Sequence, residues 1–433
     1  AQVYPQAGIG YERYDRSGQL MEADNNSAER TFYLRRPLPR SLYIHLPFCI
    51  RRCPYCDFFS TVGQENFFPQ YQKALLSEVR LVGCEVDFLR GRDPEYNGVE
   101  TVYFGGGTPS LWSAEHIEQL LESIGTFVGI ADGCEITLEA NPSSLSFRHL
   151  SDLRAAGINR LSIGVQATDD NLLRKIGRLH NRAEAEAALK GAEKAGFANI
   201  GIDLMIGLPA QTIADIKSSL AWLREYPIQH VSAYSLIIEP DTPFADLYSP
   251  GGSLYRELPD PEDERKQWYT LREGLKAFGF EHYEISNFAC PGYRSRHNSA
   301  YWSGDMYWGL GAGAHSYYRS RNDICPQRRA NLNDLSAYAE RVERADQISA
   351  MGELTEVMDA ADIEKEFFLL GLRILDGVDL RNFTERFGHE VPASIRLILE
   401  KLVGIQLLIE ESSVYRLSLK GEDYGNRVFS EFI

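Results

Sequence analysis

From Leu42 to about residue 280, segments with the hydrophobic pattern of strands alternate with segments that have the periodicity of helices. Short runs of β-branched and aromatic residues predict strands at 42–46, 100–104, 135–140, 160–166, 199–206 and 230–239. Stretches with helical periodicity, which begin at Ser, Asp or Thr cap positions, predict helices at 67–88, 113–124, 146–156, 183–195 and 212–225. Six strand and helix repeats indicate an α/β fold with a parallel sheet, and they favour a partial (βα)6 barrel of the TIM type over a flat doubly wound sheet.

The remainder of the chain has a different pattern. A long helix is predicted at 261–278, and a loop-rich stretch follows it. Helices at 354–374, 379–387 and 392–402 and a hairpin at 406–419 follow in the order of a winged helix. The 392–402 helix has a weak basic face, which favours a packing or partner module over DNA binding. The predicted organisation is a polar arm at 1–40, a barrel at 41–280, a loop-rich segment at 281–350 and a helical, winged-helix-like C-terminal domain at 351–433.

Charge and composition narrow the possible partners. Lys and Arg number 45 against 61 Asp and Glu, which gives a net charge of -16 and argues against nucleic acid or an anionic membrane as the main partner. The hydrophobic fraction of 44% is that of a folded globular protein. No apolar run is long enough to span a bilayer and residues 1–40 lack a signal-peptide pattern, so we expect a cytoplasmic protein, although peripheral membrane contact stays compatible with the sequence. The oligomeric state is not indicated.

Three of the seven cysteines form a C-x3-C-x2-C run directly after the first predicted strand, at Cys49, Cys53 and Cys56. The intervening Arg51 and Arg52 would favour the thiolate form that binds metals. Three close thiolates suit three corners of a four-iron cluster, which leaves one iron open for a ligand. A zinc site is the alternative, with His45 as the only nearby candidate for a fourth ligand.

Several further motifs accompany this run, and together they resemble the radical S-adenosylmethionine proteins, in particular the oxygen-independent coproporphyrinogen dehydrogenase group. The resemblance extends from about Ser41 to the C-terminus. It rests on the cysteine run and on five segments, 43–49, 105–109, 139–142, 164–166 and 203–209, which read YIHLPFC, GGGTP, EANP, GVQ and DLMIGLP.

The resemblance implies a 4Fe-4S cluster held by the three cysteines, and S-adenosylmethionine bound at the open iron. It assigns the first S-adenosylmethionine molecule to Tyr43, Gly106 and Glu139. Positions that contact a second molecule in the dehydrogenases correspond to Tyr55, Gly107, Thr108, Gln166, Arg178 and Asp203. Ile237 corresponds by spacing alone.

The chemistry of these residues leaves structural interpretations open. The glycines at 105–107 either admit a ligand to the backbone or form a tight turn. Glu139 and Gln166 lie at predicted strand ends, where barrel enzymes place their sites, but either could cap a helix. Asp203 lies in an apolar strand and needs a partner, which is either structural or a ligand. Arg178 is either an exposed residue at a helix end or a clamp for a carboxylate.

One position departs from the dehydrogenase pattern. That group has a further cysteine two residues beyond the third cluster ligand, whereas this chain has Phe58. The Cys-Asp-Phe ending and the segment HNSAYW at 297–302 resemble instead the HemW-type haem chaperones, whose H-N-x-x-Y-W motif is associated with haem binding. His297 could ligate haem iron beside two aromatic rings, or these residues could simply pack.

The resemblance therefore implies a haem chaperone that delivers haem to acceptor proteins, such as those of respiratory chains. The alternatives are a coproporphyrinogen dehydrogenase and an anaerobic haem-degrading enzyme.

Overall fold

The computed structural model describes residues 37–321, 323 and 325–433, so the predicted polar arm lies almost wholly outside the described residues. The strands are β1 Ser41–Leu46, β2 Phe48–Cys49, β3 Thr61–Val62, β4 Val99–Gly106, β5 Ile130–Ala140, β6 Arg160–Gln166, β7 Ile200–Ile206, β8 His230–Ser235, β9 Glu281–Glu284, β10 Asn287–Ala289, β11 Tyr307–Leu310, β12 His315–Tyr318, β13 Gln327–Ala330, β14 Glu353–Glu356, β15 Val378–Asp379, β16 Leu408–Glu411 and β17 Val414–Leu417. The α-helices are α1 Phe68–Leu89, α2 Ala114–Phe127, α3 Phe147–Ala155, α4 Asp170–Lys175, α5 Arg182–Lys194, α6 Ile213–Leu223, α7 Pro243–Tyr248, α8 Pro261–Ala277, α9 Arg296–Trp302, α10 Leu335–Arg344, α11 Ala360–Gly371, α12 Leu380–Phe387, α13 Ala393–Gly404, α14 Leu419–Asp423 and α15 Gly425–Phe429.

One twelve-stranded sheet organises the barrel, in the order β14-β13-β12-β11-β1-β4-β5-β6-β7-β8-β10-β9. The strands from β11 to β8 in this order pair in parallel, and the strands at both edges are antiparallel. The predicted partial barrel is confirmed, with each of the six predicted strands within a few residues of its observed position. The sixth ends at Ser235, before the predicted end at 239.

The helices on the outside of the sheet begin where the polar cap residues predict. Ser113 and Ser146 accept hydrogen bonds from backbone amides in the first turns of α2 and α3, and Asn181 forms a capping box with Glu184 at the start of α5. The apolar faces of these helices pack on fully buried strand residues and form one continuous core. That burial fixes the strands whose carboxyl ends carry the predicted site residues.

The segment predicted as loop-rich, 281–350, contributes strands to the same sheet. β11 lies parallel to β1 and pairs Ser41 with Tyr307, while β9 and β10 extend the opposite edge beyond β8. No break in the sheet therefore corresponds to the predicted boundary at 280. Strands of three or four residues are too short to produce a clear alternation, which is why the sequence pattern resembles loop.

The C-terminal part forms a separate small core and has the predicted winged-helix order. Helices α11, α12 and α13 pack around a three-stranded sheet of order β15-β17-β16. The predicted helix at 354–374 is shorter than expected because its first residues form β14, which pairs with β13 of the large sheet. Met306 and Tyr317 of the barrel segment belong to the core of this domain, so the two parts share apolar contacts.

Within the part of the chain that the structure describes, no helix has the length and apolar character needed to cross a membrane.

Candidate cofactor site

The cysteine run lies on a loop that leaves the carboxyl end of β1. Its start and its end are held together because β2 pairs in parallel with β3. All three cysteines are free and half-buried. The Thr108 hydroxyl lies 3.5 Å from Cys49 Sγ, and Arg178 Nη1 lies 3.7 Å from Cys53 Sγ. Two of the predicted S-adenosylmethionine residues therefore contact two of the predicted cluster ligands directly.

The three thiols influence one another electrostatically. Burial raises the pKa of Cys49 and of Cys56, and the neighbouring cysteine thiols raise both further because adjacent thiolates repel. The positive charges of Arg178 and Arg52 act in the opposite direction, on Cys49 and Cys56 respectively. The thiols thus face a common space that already contains cations to balance thiolate charge.

A structural zinc site would need a fourth ligand beside the three cysteines. Among residues 37–321, 323 and 325–433, no three His, Cys, Asp or Glu side chains converge closely enough to hold one metal ion. A single zinc ion needs all its ligands within about 2.3 Å of one centre, whereas a four-iron cluster takes each thiolate on a different iron. His45, the candidate fourth ligand, is engaged elsewhere, since its ring nitrogens lie 3.0 Å from the Tyr43 hydroxyl and 2.9 Å from the Phe59 carbonyl. Three thiolates without a fourth protein ligand among the described residues suit a four-iron cluster with one open iron better than a closed zinc site.

The glycines at 105–107 fit closely against β1. A Cβ on Gly105 would lie 2.8 Å from the Tyr43 ring, and one on Gly106 would lie 2.6 Å from the His45 ring. Gly106 also has a φ of 111°, which is strained for other residues. The triple glycine therefore lets the aromatic residues of β1 approach the end of β4, and it leaves the Gly106 amide directed at a carboxylate.

That carboxylate belongs to Glu139, near the end of β5. The Tyr103 hydroxyl donates to its Oε1 at 2.8 Å, and the Gly106 amide donates to its Oε2 at 3.2 Å. Burial raises the pKa of Glu139 to about 7; these two hydrogen bonds lower it, while the negative charge of Asp203 raises it further. Glu139 is half-buried, and each carboxylate oxygen has one donor, which leaves further acceptor positions for a ligand. A group that donates hydrogen bonds, such as an amino group, is chemically complementary to this carboxylate.

Asp203 projects into the same interior from β7. The Ser162 hydroxyl donates to its Oδ1 at 3.2 Å, and a hydrogen bond from Ser232 also stabilises its charge. Burial raises its pKa, against these hydrogen bonds and the positive charges of Arg160 and Arg178. Asp203 thus has two hydroxyl partners, and it remains half-exposed, so both the structural and the ligand-binding interpretation stay open.

Gln166 and Arg178 lie beside the cluster loop. Gln166 has a φ of 65°, an unfavourable value for a side chain of this size, at an irregularity in the pairing of β6 with β7. The Tyr234 hydroxyl donates to its Oε1 at 2.9 Å. Arg178 Nη2 donates to the Gly164 carbonyl at 2.7 Å, and its buried Nε has no hydrogen-bond partner. This guanidinium can still receive an anion, as a carboxylate clamp requires.

Five of the barrel strands, β1, β4, β5, β7 and β8, carry half-buried residues in their central and carboxyl-terminal parts, which indicates that these residues line an open barrel interior. These residues are Tyr43, Tyr103, Glu139, Asp203, Ser232 and Tyr234. Tyr103, Ser162, Ser232 and Tyr234 were not singled out from the sequence. The signal that could have found them is the polar residue at every second position of the barrel strands.

The structure brings most of the predicted set together. Tyr43, Gly106 and Glu139 cluster around the end of β4. Arg178 contacts Cys53, lies beside Gln166 near Gly164, and stabilises the charge of Asp203. Tyr55 packs on Phe244 at a ring distance of 5.9 Å. Ile237 differs, because it follows the end of β8 and is 66% exposed, with no contact that links it to the interior.

His297 lies at the opposite end of the barrel from the cysteines. It is in α9, whose first amides, those of Arg296 and His297, donate to Glu135 near the start of the β5 ladder. The ring is 1% exposed, and its Nδ1 and Nε2 lie 2.8 Å from the Thr101 hydroxyl and 2.9 Å from the Tyr301 hydroxyl. Burial lowers the pKa of His297 to about 3, with a contribution from the positive charge of Arg160. In this arrangement neither nitrogen is available to haem iron.

Comparison with known proteins agrees with this architecture. Residues 43–223 match the Radical SAM superfamily and residues 358–422 match the HemN C-terminal domain. The coproporphyrinogen III oxidase HemN from Escherichia coli has a similar fold, with a TM-score of 0.72, 21% identity, and coverage of 98% of this chain and 96% of that one.

Relatives in sequence are named heme chaperone HemW. The Bacillus subtilis protein is 35% identical over 395 residues, covering 91% of this chain and 99% of the relative. The Lactococcus lactis protein is 34% identical over 396 residues, covering 91% and 97%. The Escherichia coli protein is 38% identical over 281 residues, covering 64% and 70%. Radical SAM proteins are defined by a 4Fe-4S cluster and S-adenosylmethionine, and this chain belongs to that superfamily and, within it, to the family of the heme chaperone HemW.

Proposed function

We propose that this protein binds haem and passes it to haem-accepting proteins, such as those of respiratory chains. The observation that carries the proposal is Phe58, which is 70% exposed beside the cysteine loop, at the position where the dehydrogenase pattern has a further cysteine. No thiol is available at that point for dehydrogenase chemistry. The relatives named heme chaperone HemW, which match across almost their full length, support the same conclusion.

We assign the resident cofactors to the carboxyl end of the barrel. Cys49, Cys53 and Cys56 would hold the 4Fe-4S cluster, and the two cofactors together supply one-electron chemistry when bound. The first S-adenosylmethionine molecule would occupy the open iron through its amino and carboxylate groups, and Glu139 would accept a hydrogen bond from the amino group. The other residues proposed for S-adenosylmethionine binding are Tyr43, Tyr55, Gly106, Gly107, Thr108, Gln166, Arg178 and Asp203, with Ile237 proposed from spacing alone.

His297 is not placed to ligate haem iron in this structure. Ligation through His297 would require the imidazole to give up its hydrogen bond with Thr101 or with Tyr301 and to leave a buried position. The present arrangement of α9 does not fit that role, so the proposal of haem binding does not depend on His297. A change in the absorption spectrum of bound haem in His297→Ala would show that His297 does ligate the haem iron.

An enzymatic function is the alternative, because Glu139, Arg178 and Asp203 leave the barrel interior equipped for a reaction with S-adenosylmethionine. A coproporphyrinogen dehydrogenase would convert propionate groups to vinyl groups, and an anaerobic haem-degrading enzyme would open the macrocycle. The fold similarity to HemN extends over the whole chain but, at 21% identity, it supports the fold alone.

One set of anaerobic experiments separates these functions. The reconstituted protein is incubated with reductant, S-adenosylmethionine and coproporphyrinogen III, and the tetrapyrroles are analysed by mass. We expect no decarboxylated product over many equivalents. In parallel, the protein is titrated with haem and then mixed with an apo haem protein, and we expect a bound-haem Soret band that moves to the acceptor. Multiple turnovers of coproporphyrinogen, or the absence of haem binding, would refute the proposal.

Phe58→Cys is the matched variant for this test. It restores the extra cysteine of the dehydrogenase pattern at an exposed position without changing the core. If the variant gains conversion that the wild type lacks, Phe58 is the feature that separates the two functions. If the wild type already converts coproporphyrinogen, the chaperone assignment fails.

A further inference from the structure

Helix α9 packs at the end of the barrel where the strands begin, here called the floor, and His297 lies where this helix meets β4 and β5. Its ring stacks on Tyr103 of β4 at a centroid distance of 4.9 Å and an angle of 24°. The hydrogen bonds with Thr101 and Tyr301 fix the ring in its plane. The Tyr103 ring therefore packs on an imidazole whose orientation is fixed by hydrogen bonds at both of its nitrogens.

The other end of the Tyr103 side chain is the donor to Glu139. Its hydroxyl lies 2.8 Å from Oε1, and the ring is also stacked with that of Tyr43 at 6.1 Å. The Tyr103 side chain thus connects His297 at the floor with the carboxylate of Glu139. A small tilt of its ring would move the hydroxyl out of hydrogen-bonding range, because such bonds weaken steeply with distance and angle.

A second connection joins the same two points. Glu135 accepts from the amides of Arg296 and His297, and it lies on the strand that carries Glu139, four residues earlier and on the same face. The floor helix is consequently attached to both strands that shape the Glu139 site, β4 through Thr101 and β5 through Glu135.

We propose that His297 is a positioning residue for Glu139, which acts through Tyr103, and that the floor helix thereby sets the affinity of the opposite end of the barrel for S-adenosylmethionine. The inference rests on the proposed role of Glu139 as the hydrogen-bond partner of the amino group of S-adenosylmethionine. It gives the first residue of the HNSAYW segment a function that needs no contact with iron.

The test measures S-adenosylmethionine binding to anaerobically reconstituted full-length protein. Tyr103→Phe removes the donor to Glu139 but keeps the ring, and His297→Ala removes the support beneath the ring. Each should weaken binding by about tenfold, the effect expected for one hydrogen bond to a charged group. His297→Gln, whose planar amide can still support the ring and form hydrogen bonds, should recover most of the affinity.

His230→Ala is the matched control. His230 is another fully buried histidine at the floor, and its Nε2 lies 2.9 Å from the Tyr283 hydroxyl, but it has no contact with Tyr103 or Glu139. We expect its affinity for S-adenosylmethionine to stay within about twofold of the wild type. A general destabilisation of the barrel would instead lower the affinity for S-adenosylmethionine equally in His297→Ala and His230→Ala, and that outcome would overturn the proposal.

Two further measurements distinguish positioning from other roles. The electron paramagnetic resonance spectrum of the reduced cluster should be unchanged in His297→Ala without S-adenosylmethionine, and its change on adding the ligand should require about tenfold more ligand. The double variant His297→Ala with Tyr103→Phe should be no weaker than either single variant, because both remove the same contact. Additive losses, or unchanged affinity in His297→Ala or Tyr103→Phe, would refute the proposal.

Haem binding is measured on the same variants. Loss of the Soret band in His297→Ala with unchanged S-adenosylmethionine affinity would overturn the positioning role while leaving the haem chaperone function intact. If the wild type binds no haem and the affinity losses occur as described, the proposed function fails and the positioning role stands.

Discussion

The affinity for S-adenosylmethionine should increase with pH through the ionisation of Glu139. Burial raises the pKa of this carboxyl to about 7, and the hydrogen bonds from Tyr103 and Gly106 only partly oppose that effect. Protonation removes the negative charge with which Glu139 would attract the N–H groups of the ligand's amino group. Ligand binding therefore has to remove the proton whenever the pH is below the pKa, and part of the binding free energy is lost.

The magnitude follows from the titration. With a pKa of about 7, about nine-tenths of Glu139 is protonated near pH 6 and about one-tenth near pH 8. The apparent dissociation constant should fall by about tenfold over this interval, which corresponds to about 1.4 kcal/mol. A carboxyl with its ordinary pKa would be ionised throughout and would contribute almost no pH dependence.

The assay is a titration of the reconstituted protein with S-adenosylmethionine at several pH values, under anaerobic conditions. Glu139→Gln is the reference, because the ligand's own amino group also titrates and contributes equally to both proteins. The Gln variant should bind more weakly near neutral pH and should lack the component with a midpoint near 7. Identical pH profiles in the two proteins would show that Glu139 either is ionised already or does not contact the ligand.

The remaining predictions concern the cysteine loop and the barrel residues near it. Replacing any one of the three cluster cysteines with Ala should abolish the brown absorbance and the iron content of about four per chain, whereas exposed Cys84→Ser should retain both. Trp112→Ala should lower the free energy of unfolding by about 3–5 kcal/mol in denaturant titrations, since this fully buried ring packs on Phe48 and Phe68. Gln166→Gly should lower that free energy by about 1–2 kcal/mol, because the loss of the acceptor for the buried Tyr234 hydroxyl and the added freedom of the unfolded chain outweigh the relief of the positive φ, and it should weaken S-adenosylmethionine binding. Gly106→Ala should reduce both stability and cluster retention because its Cβ would collide with the His45 ring, and an undisturbed variant would contradict the geometry.

The barrel could be predicted from the sequence because its strands are long, apolar and separated by capped helices. The strand β6 is buried along its whole length, and its pattern is unambiguous. The short strands from β9 to β13 could not be found, since their conformation depends on pairing with β1 and β8 rather than on local preference. The same reason explains why β14 was included in a predicted helix.

The candidate site was predictable where residues follow one another closely, and less so where distant segments meet. The cysteine spacing identified the loop, but the contact between Arg178 and Cys53 joins positions 125 residues apart. His297 could be singled out as a histidine beside aromatic residues. Its position at the floor could not be deduced, because it depends on β11 returning to pair with β1 and on Glu135 capping α9.

The pairing of β1 with β11 has a consequence for how the chain folds while it is being synthesised. The strand that leads into the cysteine loop has β4 on one side and β11 on the other, so one of its edges stays open until Tyr307–Leu310 have been synthesised. Contacts between segments so far apart in the chain form slowly. An exposed strand edge is also a template for association with other chains. We therefore expect the open edge of β1 to need protection from association with other chains until β11 has been synthesised and paired.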